Sequence, residues 1–486
     1  MASNRGPLEH YIDEQGALRH RCAPGGVATA LASLATGTPV TWVATAGNDE
    51  ERDLARRGGH IDLGDEKRLR LIAPAPEAFD LYYSTFCNPT LWFLQHSIWE
   101  RLSEERDLAH AWEHGYLPVN QAFAEAIVEE LERGENARVM LHDYHLYAAP
   151  LFIRNLYPAA VLQQFVHIPW PEPEAWLHLP PSIVESICEG LLANDSVAFQ
   201  TEQSMVAFIR TCEAYLDGLE TGGDLRSIFR GGHTTRLWWN PISVDIWDLR
   251  GQLASAEAQQ YRDRFAGSPA MRTIVRVDRL DPAKNTGIGF RAYERLLATH
   301  PEWTGHVRFL AFLVPTRDCI PEYRDYAREV FAQVKAVNCR YGRPGWTPVT
   351  VFHEHNRTQA LAAMSQCDVL LVNPMADGMN LVSKEGPVLN ERDGVLVLSE
   401  RAGSYAELGD AALGVAPEDI DATAEALHRA LTMPAGERAE RARRLRQAVV
   451  RHSLGRWLRL LLDDLGIDAG AGSMHGRPGQ AGLTAL

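Results

Sequence analysis

The sequence predicts an α/β protein with two Rossmann-like, doubly wound sheets, from its 486-residue length, its alternation of short β-rich runs with amphipathic stretches, and the separation of those runs into two series. A single core stops growing at about 250–300 residues, so this length calls for two large domains. Alternation of strand and helix is the pattern of a parallel sheet with helices packed on its faces.

In the first series, strands are expected at 137–141, 161–166 and 196–199, with Ile183, Val184, Ile187 and Leu191 marking one face of a connecting helix. The second series runs through 273–278, 307–313, 349–352, 368–373 and 394–399, and Phe290, Tyr293, Leu296 and Leu297 mark the helix after its first strand. Between the series lies Asn240-Pro241-Ile242-Ser243-Val244-Asp245, whose proline and turn-forming neighbours suit a crossover between domains. The expected division is therefore 1–242, 243–448, a C-terminal apolar-striped helix over 449–466 that packs back on the first domain, and a Gly/Ala-rich tail over 467–486 expected to be disordered.

Composition removes several classes of function. Hydrophobic content of 45% and charged content of 23% are those of a globular chain rather than a fibrous one. The formal net charge of −15, without a long basic run, argues against nucleic acid or an anionic membrane as a partner. Seven scattered cysteines without a CxxC pair suggest neither a disulfide framework nor a zinc site, which fits a reducing cytoplasm. The N-terminal MASNRGPLEH lacks the order of a signal peptide, and no apolar run approaches the ~20 residues of a spanning helix.

Four clusters could carry chemistry. Ser3-Asn4-Arg5-Gly6-Pro7 and Pro24-Gly25-Gly26 place a guanidinium and free glycines early in the first domain, suited to phosphate and close backbone approach; a plain loop with a surface arginine is the competing reading. His142-Asp143-Tyr144-His145-Leu146 follows a strand, where a carboxylate can receive a substrate hydroxyl; its two histidines diverge on a turn and no further ligand set lies nearby, so no metal is expected. Phe165-Val166-His167-Ile168-Pro169-Trp170-Pro171 offers an imidazole stiffened by prolines, equally compatible with a structural histidine. The fourth joins Arg279-Leu280-Asp281-Pro282-Ala283-Lys284-Asn285, Pro315-Thr316-Arg317, and the stretch from Asp377 through Gly378, Met379, Asn380, Leu381 and Val382 to Ser383-Lys384-Glu385. An arginine and a lysine at one strand end can neutralise a leaving diphosphate without a metal, and the Gly378-Met379 backbone can offer N–H donors at a helix N-terminus. Asp377 and Glu385 then suit the sugar and the ribose, respectively, whereas helix-end salt bridges are the plainer alternative. Neither GxGxxG after an early strand nor GxxxxGK[ST] occurs, and Gly287 and Gly289 lack the third glycine of a dinucleotide fingerprint.

Taken together, SNR, PGG, YYSTFCNPTLW, HDYHL, VHIPWP, RLDPAKN, DGMNLVSKE and VLVLSERAG, in this order from Ser3 to about Leu465, resemble the trehalose-6-phosphate synthases of glycosyltransferase family 20, with actinobacterial-like variants. The resemblance implies a GT-B architecture with the active site in the cleft between two Rossmann-like domains. It implies an acceptor set of Arg5, Tyr83, Trp92 and Arg317, and catalytic roles for Asp143, His167, Arg279, Lys284 and Asp377. The donor set comprises Gly26, Arg279, Lys284, Asp377, Gly378, Met379, Asn380, Leu381, Val382 and Glu385, with no metal and no cofactor. The implied reaction moves glucose from a nucleoside diphosphate, GDP or UDP, onto glucose 6-phosphate with retention, the leaving phosphate acting as base. The resemblance also admits relatives that couple cyclitol phosphates or make glucosylglycerol phosphate, and a non-catalytic sugar-phosphate sensor stands as a reading of another class. A homo-oligomer is compatible with the sequence.

Three positions depart from the family pattern. The chain begins almost at SNR, so the strand expected before it is missing or the start lies further upstream. Asn285 stands where glycine is usual and Ala376 where arginine is usual, leaving the nucleotide base open; the actinobacterial-like DPAKN and LNERDG variants lean it towards GDP.

Overall fold

The structure, a computed structural model, describes residues 1–12, 18–22, 39–58, 60–64, 67–103, 105–134, 138–267 and 270–467. The expected tail over 467–486 therefore lies almost wholly outside the described residues, as does Gly26 with the rest of the Pro24-Gly25-Gly26 motif.

Strands β1 (Leu8–Ile12) and β2 (Leu18–Cys22) form an antiparallel ribbon. Strands β3 (Val40–Thr45), β4 (His60–Gly64) and β5 (Lys67–Ile72) make a three-stranded sheet in the order β3-β5-β4. It continues into a six-stranded sheet through Ala2, which bridges Val43 on one side and Leu141 on the other. The backbone N–H of Ala2 donates to Met140 and that of His142 to Ala2, so residues 1–4 occupy the central strand position with a short pairing. The six strands are β6 (Arg138–His142), β7 (Val161–Val166), β8 (Ser196–Phe199), β9 (Glu220–Thr221), β10 (Ser227–Arg230) and β11 (His233–Trp239), ordered β6-β7-β8-β11-β10-β9. The alternating runs read from sequence are β6 to β8; the hairpin β10–β11, with its polar Arg236 and Thr234 facing out, carries no comparable apolar run.

The second domain holds β12 (Arg272–Arg279), β13 (Val307–Val314), β14 (Val349–Phe352), β15 (Val369–Val372), β16 (Val395–Ser399) and β17 (Leu413–Val415), all parallel in the order β14-β13-β12-β15-β16-β17. This is the Rossmann strand order, and its reversal between β13 and β15 puts a crevice at the carboxyl ends of β12 and β15. Val, Leu and Phe dominate β13, β15 and β16, as burial on both faces requires, whereas β12 also carries the buried charges of Arg276 and Asp278.

One boundary needs correction. The C-terminal stripe expected as a single helix over 449–466 is two helices, Ala435–Arg451 and Leu454–Asp464. The break falls at His452, and Ser453 caps the second helix by accepting from the N–H of Arg456 at 3.3 Å. Val449 belongs to the core of the second domain, whereas Leu454, Trp457, Leu458, Leu461 and Leu462 pack on Trp42, Leu69, Met140 and Phe165 of the first. The chain thus crosses between domains twice, near Ile242 and near His452. Buried Lys384 donates to the carbonyl of Ile242 at 2.8 Å and pairs with Glu407 at 2.6 Å, while Glu407 lies 3.6 Å from His452. Asn240 donates to the carbonyl of Trp457 at 3.0 Å, so the crossings run side by side.

Candidate active site

The cleft is assembled from strand ends of both domains, and an unusual helix supplies its first wall. Residues Leu81–Leu91 form a π-helical stretch containing Pro89, followed directly by the α-helical turn Trp92–Gln95. Asn88 donates to the carbonyl of Tyr83 at 2.8 Å and the Thr90 hydroxyl to Thr85 at 2.8 Å, closing the wider turn at its side chains. Tyr82 is buried and donates to Asn4 at 3.0 Å, while Tyr83 stacks on Phe79 with its hydroxyl 3.5 Å from the guanidinium of Arg5. Arg5 and Arg317 hold the Tyr83 phenol below the usual tyrosine range although burial pushes it up. Arg5, Tyr83, Trp92 and Arg317, expected from the sequence as the acceptor set, thus gather on one side of the cleft, with Arg317 contributed by the second domain.

At the end of β6, Asp143 adopts φ of +75°, a left-handed conformation that a non-glycine residue holds at a cost of about 1–3 kcal/mol. Its carboxylate accepts from the backbone N–H of His167 at 3.2 Å. Burial pushes its pKa up to about 7, against backbone donors from Tyr144, His167 and Ile168 and the charge of Arg317. His142 and His145 diverge as expected: the first faces His167, with nitrogens 3.1 Å apart, and the second lies over Tyr144 and beside Tyr83.

His167 is held from every side. Its Nδ1 lies 3.3 Å from the amide of Gln200, whose oxygen accepts from the N–H of Ile242 at 2.9 Å, so the amide nitrogen donates to the ring. Nε2 then carries the proton towards His142. Burial lowers the His167 pKa to about 3, keeping the ring neutral, and Trp457 packs behind it. Both ring nitrogens are engaged, and Gly378 packs so closely against the backbone carbonyl that a Cβ would overlap it.

On the second domain, Arg279 ends β12 and Lys284 follows in a single helical turn. Buried Arg276 positions that turn by donating to the Lys284 carbonyl and pairing with Asp278 at 2.9 Å. Lys284 pairs with Asp377 after β15, and Asn380 adds a 3.1 Å hydrogen bond to the same carboxylate. Burial would raise the Asp377 pKa, but Lys284 outweighs it and holds the carboxyl below the usual range. The N–H groups of Gly403 and Ser404 donate to the carbonyls of Asp377 and Met379, fixing the loop from Gly378 to Leu381 ahead of the helix Val382–Leu389. Glu385, nearly buried on that helix, pairs with Arg357 at 2.8 Å. Asn285 takes φ of +57° and donates to the carbonyls of Asn373 and Pro417 at 3.1 and 2.8 Å. It thereby fills a left-handed position that glycine would fill by freedom alone.

Sequence reading passed over three residues that organise the cleft. Asp281, fully buried, accepts from the indole N–H of Trp92 at 3.1 Å, from Arg279 at 3.3 Å and from Arg317 at 3.3 Å. Burial raises its pKa, yet Arg279 and Arg317 prevail and keep it below the usual carboxylate range. Tyr144 accepts from Arg317 at 3.1 Å across the domains, and Arg317 holds φ of +53° to make that reach. His96 stacks on Trp92 at 3.9 Å and donates from Nδ1 to the Trp92 carbonyl at 2.8 Å, which leaves Nε2 a buried acceptor without a protein partner. The available signal was the i,i+4 spacing of Trp92 and His96 and the acid inside the Arg279–Lys284 motif.

Among the described residues, a group able to hold a metal is His300, Glu302 and His428. It follows the helix Thr286–Thr299, which starts at the cleft and leads away from it. Its two imidazoles stack at 3.6 Å and 9°, so their in-plane lone pairs run side by side rather than converging. No helix among the described residues is long and apolar enough to cross a membrane.

Two Rossmann-like domains facing a cleft lined by cationic and acidic side chains at their strand ends define a GT-B glycosyltransferase. The chain belongs to glycosyltransferase family 20, whose model matches residues 1–466. A bifunctional trehalose-6-phosphate synthase/phosphatase of Thermoproteus tenax is 32% identical over 474 residues, covering 94% of this chain; this chain spans 62% of that relative's own length. A structure from E. coli named for trehalose-6-phosphate and bound with UDP-2-fluoro glucose superposes with a TM-score of 0.82 at 28% identity, covering 92% of this chain and 97% of that one. An α,α-trehalose-phosphate synthase (UDP-forming) from Burkholderia xenovorans in complex with glucose-6-phosphate gives a TM-score of 0.81 at 30% identity, covering 91% and 97%.

Proposed function

We propose that the protein is an α,α-trehalose-phosphate synthase, a hexosyltransferase that moves glucose from a nucleoside diphosphate onto glucose 6-phosphate with retention. The observation that carries this reading is the gathering of two cationic sets on one cleft: Arg5 and Arg317 around Tyr83 and Trp92, and Arg279 and Lys284 at the end of β12. The first set suits a phosphate monoester and the second a diphosphate whose charge grows as it leaves. Asp143 and Asp377 accept sugar hydroxyls, Glu385 holds the ribose, and the Gly378–Val382 backbone donates to the donor sugar and phosphates. The His167 carbonyl closes the glucose pocket. No protein nucleophile is needed when the acceptor hydroxyl attacks on the face that the diphosphate leaves and a departing phosphate oxygen takes its proton. The chain's own work is orientation and charge stabilisation.

The two solved relatives carry UDP-2-fluoro glucose and glucose-6-phosphate, which favours uridine as the donor base and supports this reading over cyclitol coupling or glucosylglycerol phosphate. The sequence leans towards guanosine through its actinobacterial-like variants, while Asn285 and Ala376 leave the base open. Asn285 spends its side chain on two backbone carbonyls, so its amide is not offered to a base. The test is a metal-free assay with glucose 6-phosphate and UDP-, GDP- or ADP-glucose, following nucleoside diphosphate release and the anomeric NMR of the product. A 1,1-linked α,α product establishes the reading and names the donor; folded protein that makes none with any donor overturns it.

A further inference from the structure

The acceptor and donor sets meet on one side chain. Asp281 uses Oδ1 for the Trp92 indole and the Ala283 N–H, at 3.1 and 3.0 Å, and Oδ2 for both Arg279 and Arg317, each at 3.3 Å. Trp92 comes from the first domain and the other three from the second. The guanidinium carbons of Arg317 and Arg279 also lie 4.3 and 5.1 Å from the centre of the Trp92 ring. The contact extends across the cleft: Arg317 donates to Tyr144 at 3.1 Å and to Tyr323 at 2.6 Å, Tyr323 donates to the Asn88 carbonyl at 3.3 Å, and Tyr144 donates to the Asn88 side chain at 2.8 Å.

We infer that Asp281 is a positioning residue that couples the two half-sites, so that glucose 6-phosphate held by Trp92 and Arg317 tightens the hold of Arg279 on the nucleoside diphosphate. The inference rests on the function proposed above and extends it. Two arginines from opposite sets would repel each other around one indole; the shared carboxylate is the counter-charge that lets both stay there, and a change in either is felt at the other. Its bond to Trp92 joins the domains, so both ligands select the same closed arrangement, which makes the coupling positive. Linkage requires the effect to be reciprocal.

The test is titration calorimetry on the full chain with UDP and glucose 6-phosphate, each alone and each at saturation of the other. The parent is expected to bind UDP about tenfold more tightly with glucose 6-phosphate present, within the usual range of coupling, and the converse factor should be equal. In Asp281→Asn that factor should fall below about twofold. Trp92→Phe, which keeps the ring beneath the arginines and removes only the cross-domain donor, should lose it too, and stands as the test if Asp281→Asn does not fold by thermal unfolding. A factor unchanged in Trp92→Phe, or binding of both ligands by the parent without coupling, overturns this inference alone. A parent that binds neither ligand overturns the functional reading and the inference with it.

Discussion

Lys284 and Asp377 close an ion pair between the carboxyl ends of β12 and β15, at the point where the strand order of the second sheet reverses. Each is the other's charge partner, and in the proposed reaction Lys284 would meet the diphosphate and Asp377 the sugar of the same donor. Lys284→Ala should lower kcat by about 10²–10³, the usual cost of removing one charge-stabilising donor, in protein that still folds. A kcat within about threefold of the parent would remove Lys284 from the chemistry.

Arg317 makes directed bonds to Asp281, Tyr144 and Tyr323 that one ammonium cannot reproduce. A charge-assisted hydrogen bond contributes about 1.5–3 kcal/mol, so Arg317→Lys should raise the KM for glucose 6-phosphate about ten- to hundredfold. The KM for the donor sugar should rise by no more than the roughly tenfold coupling carried through Asp281. An unchanged KM for glucose 6-phosphate would place Arg317 outside the acceptor site.

Asp143 titrates near 7 because burial outweighs its backbone donors and Arg317. The ionised carboxylate is the stronger acceptor for a sugar hydroxyl, so kcat/KM for the acceptor should rise with pH through about 7. The sign for stability is opposite: the folded value lies above the unfolded value of about 3.9, so the native state holds the extra proton between them and the ligand-free protein loses stability as pH rises from about 4 to 7. Phosphate monoesters also ionise near pH 6, so the comparison that isolates Asp143 is with Asp143→Asn. That variant should lose the limb near 7 and the fall in stability; a pH profile unchanged in shape would assign the limb to the substrate.

Gly378 touches the His167 carbonyl where the domains meet, and Gly403 stacks as closely on the Gly378 carbonyl. Gly378→Ala must force this contact apart. Overpacking of this kind costs about 1–3 kcal/mol, and the larger expected effect is on kcat, since the glucose pocket opens. Gly436→Ala, which meets nothing within 4 Å, is the control for a neutral glycine substitution.

Trp457 is almost completely buried beneath the first domain's sheet, edge-on to Phe165 at 5.4 Å and behind His167. Trp457→Ala should cost about 3–5 kcal/mol of stability and, by freeing the His167 ring, also reduce kcat. Chemical denaturation and an activity assay read the two effects separately.

The second domain was legible because β13, β15 and β16 are buried on both faces and read as apolar runs, and because the polar residues of the site follow the Ile274-Val275 centre of β12. The first sheet was half legible. Its strands β6 to β8 each hold a buried, mainly apolar run, but β3 to β5 interleave polar residues with apolar ones, and the position held by residues 1–4 has almost no length to show periodicity. The stripe from Val449 onward read as one helix because apolar residues on both sides of Ser453 keep step, although each part covers a different domain. At the site, types of residue at strand ends pointed to phosphates and sugars. What local sequence could not show was partnership: Asp281 with Trp92 spans 189 positions, and Lys284 with Asp377 spans 93.

The paired crossings at Ile242 and His452, clasped by Lys384 and Glu407, have a mechanical meaning. Two strands of chain that pass side by side give the halves one fulcrum at the edge of the cleft, and the substrates bind out along the arms. A few backbone dihedrals there absorb any swing, and the arm length multiplies a small turn at the fulcrum into a larger travel at the residues that grip glucose and phosphate. The buried Lys384–Glu407 pair lies on the line about which any such turn would run.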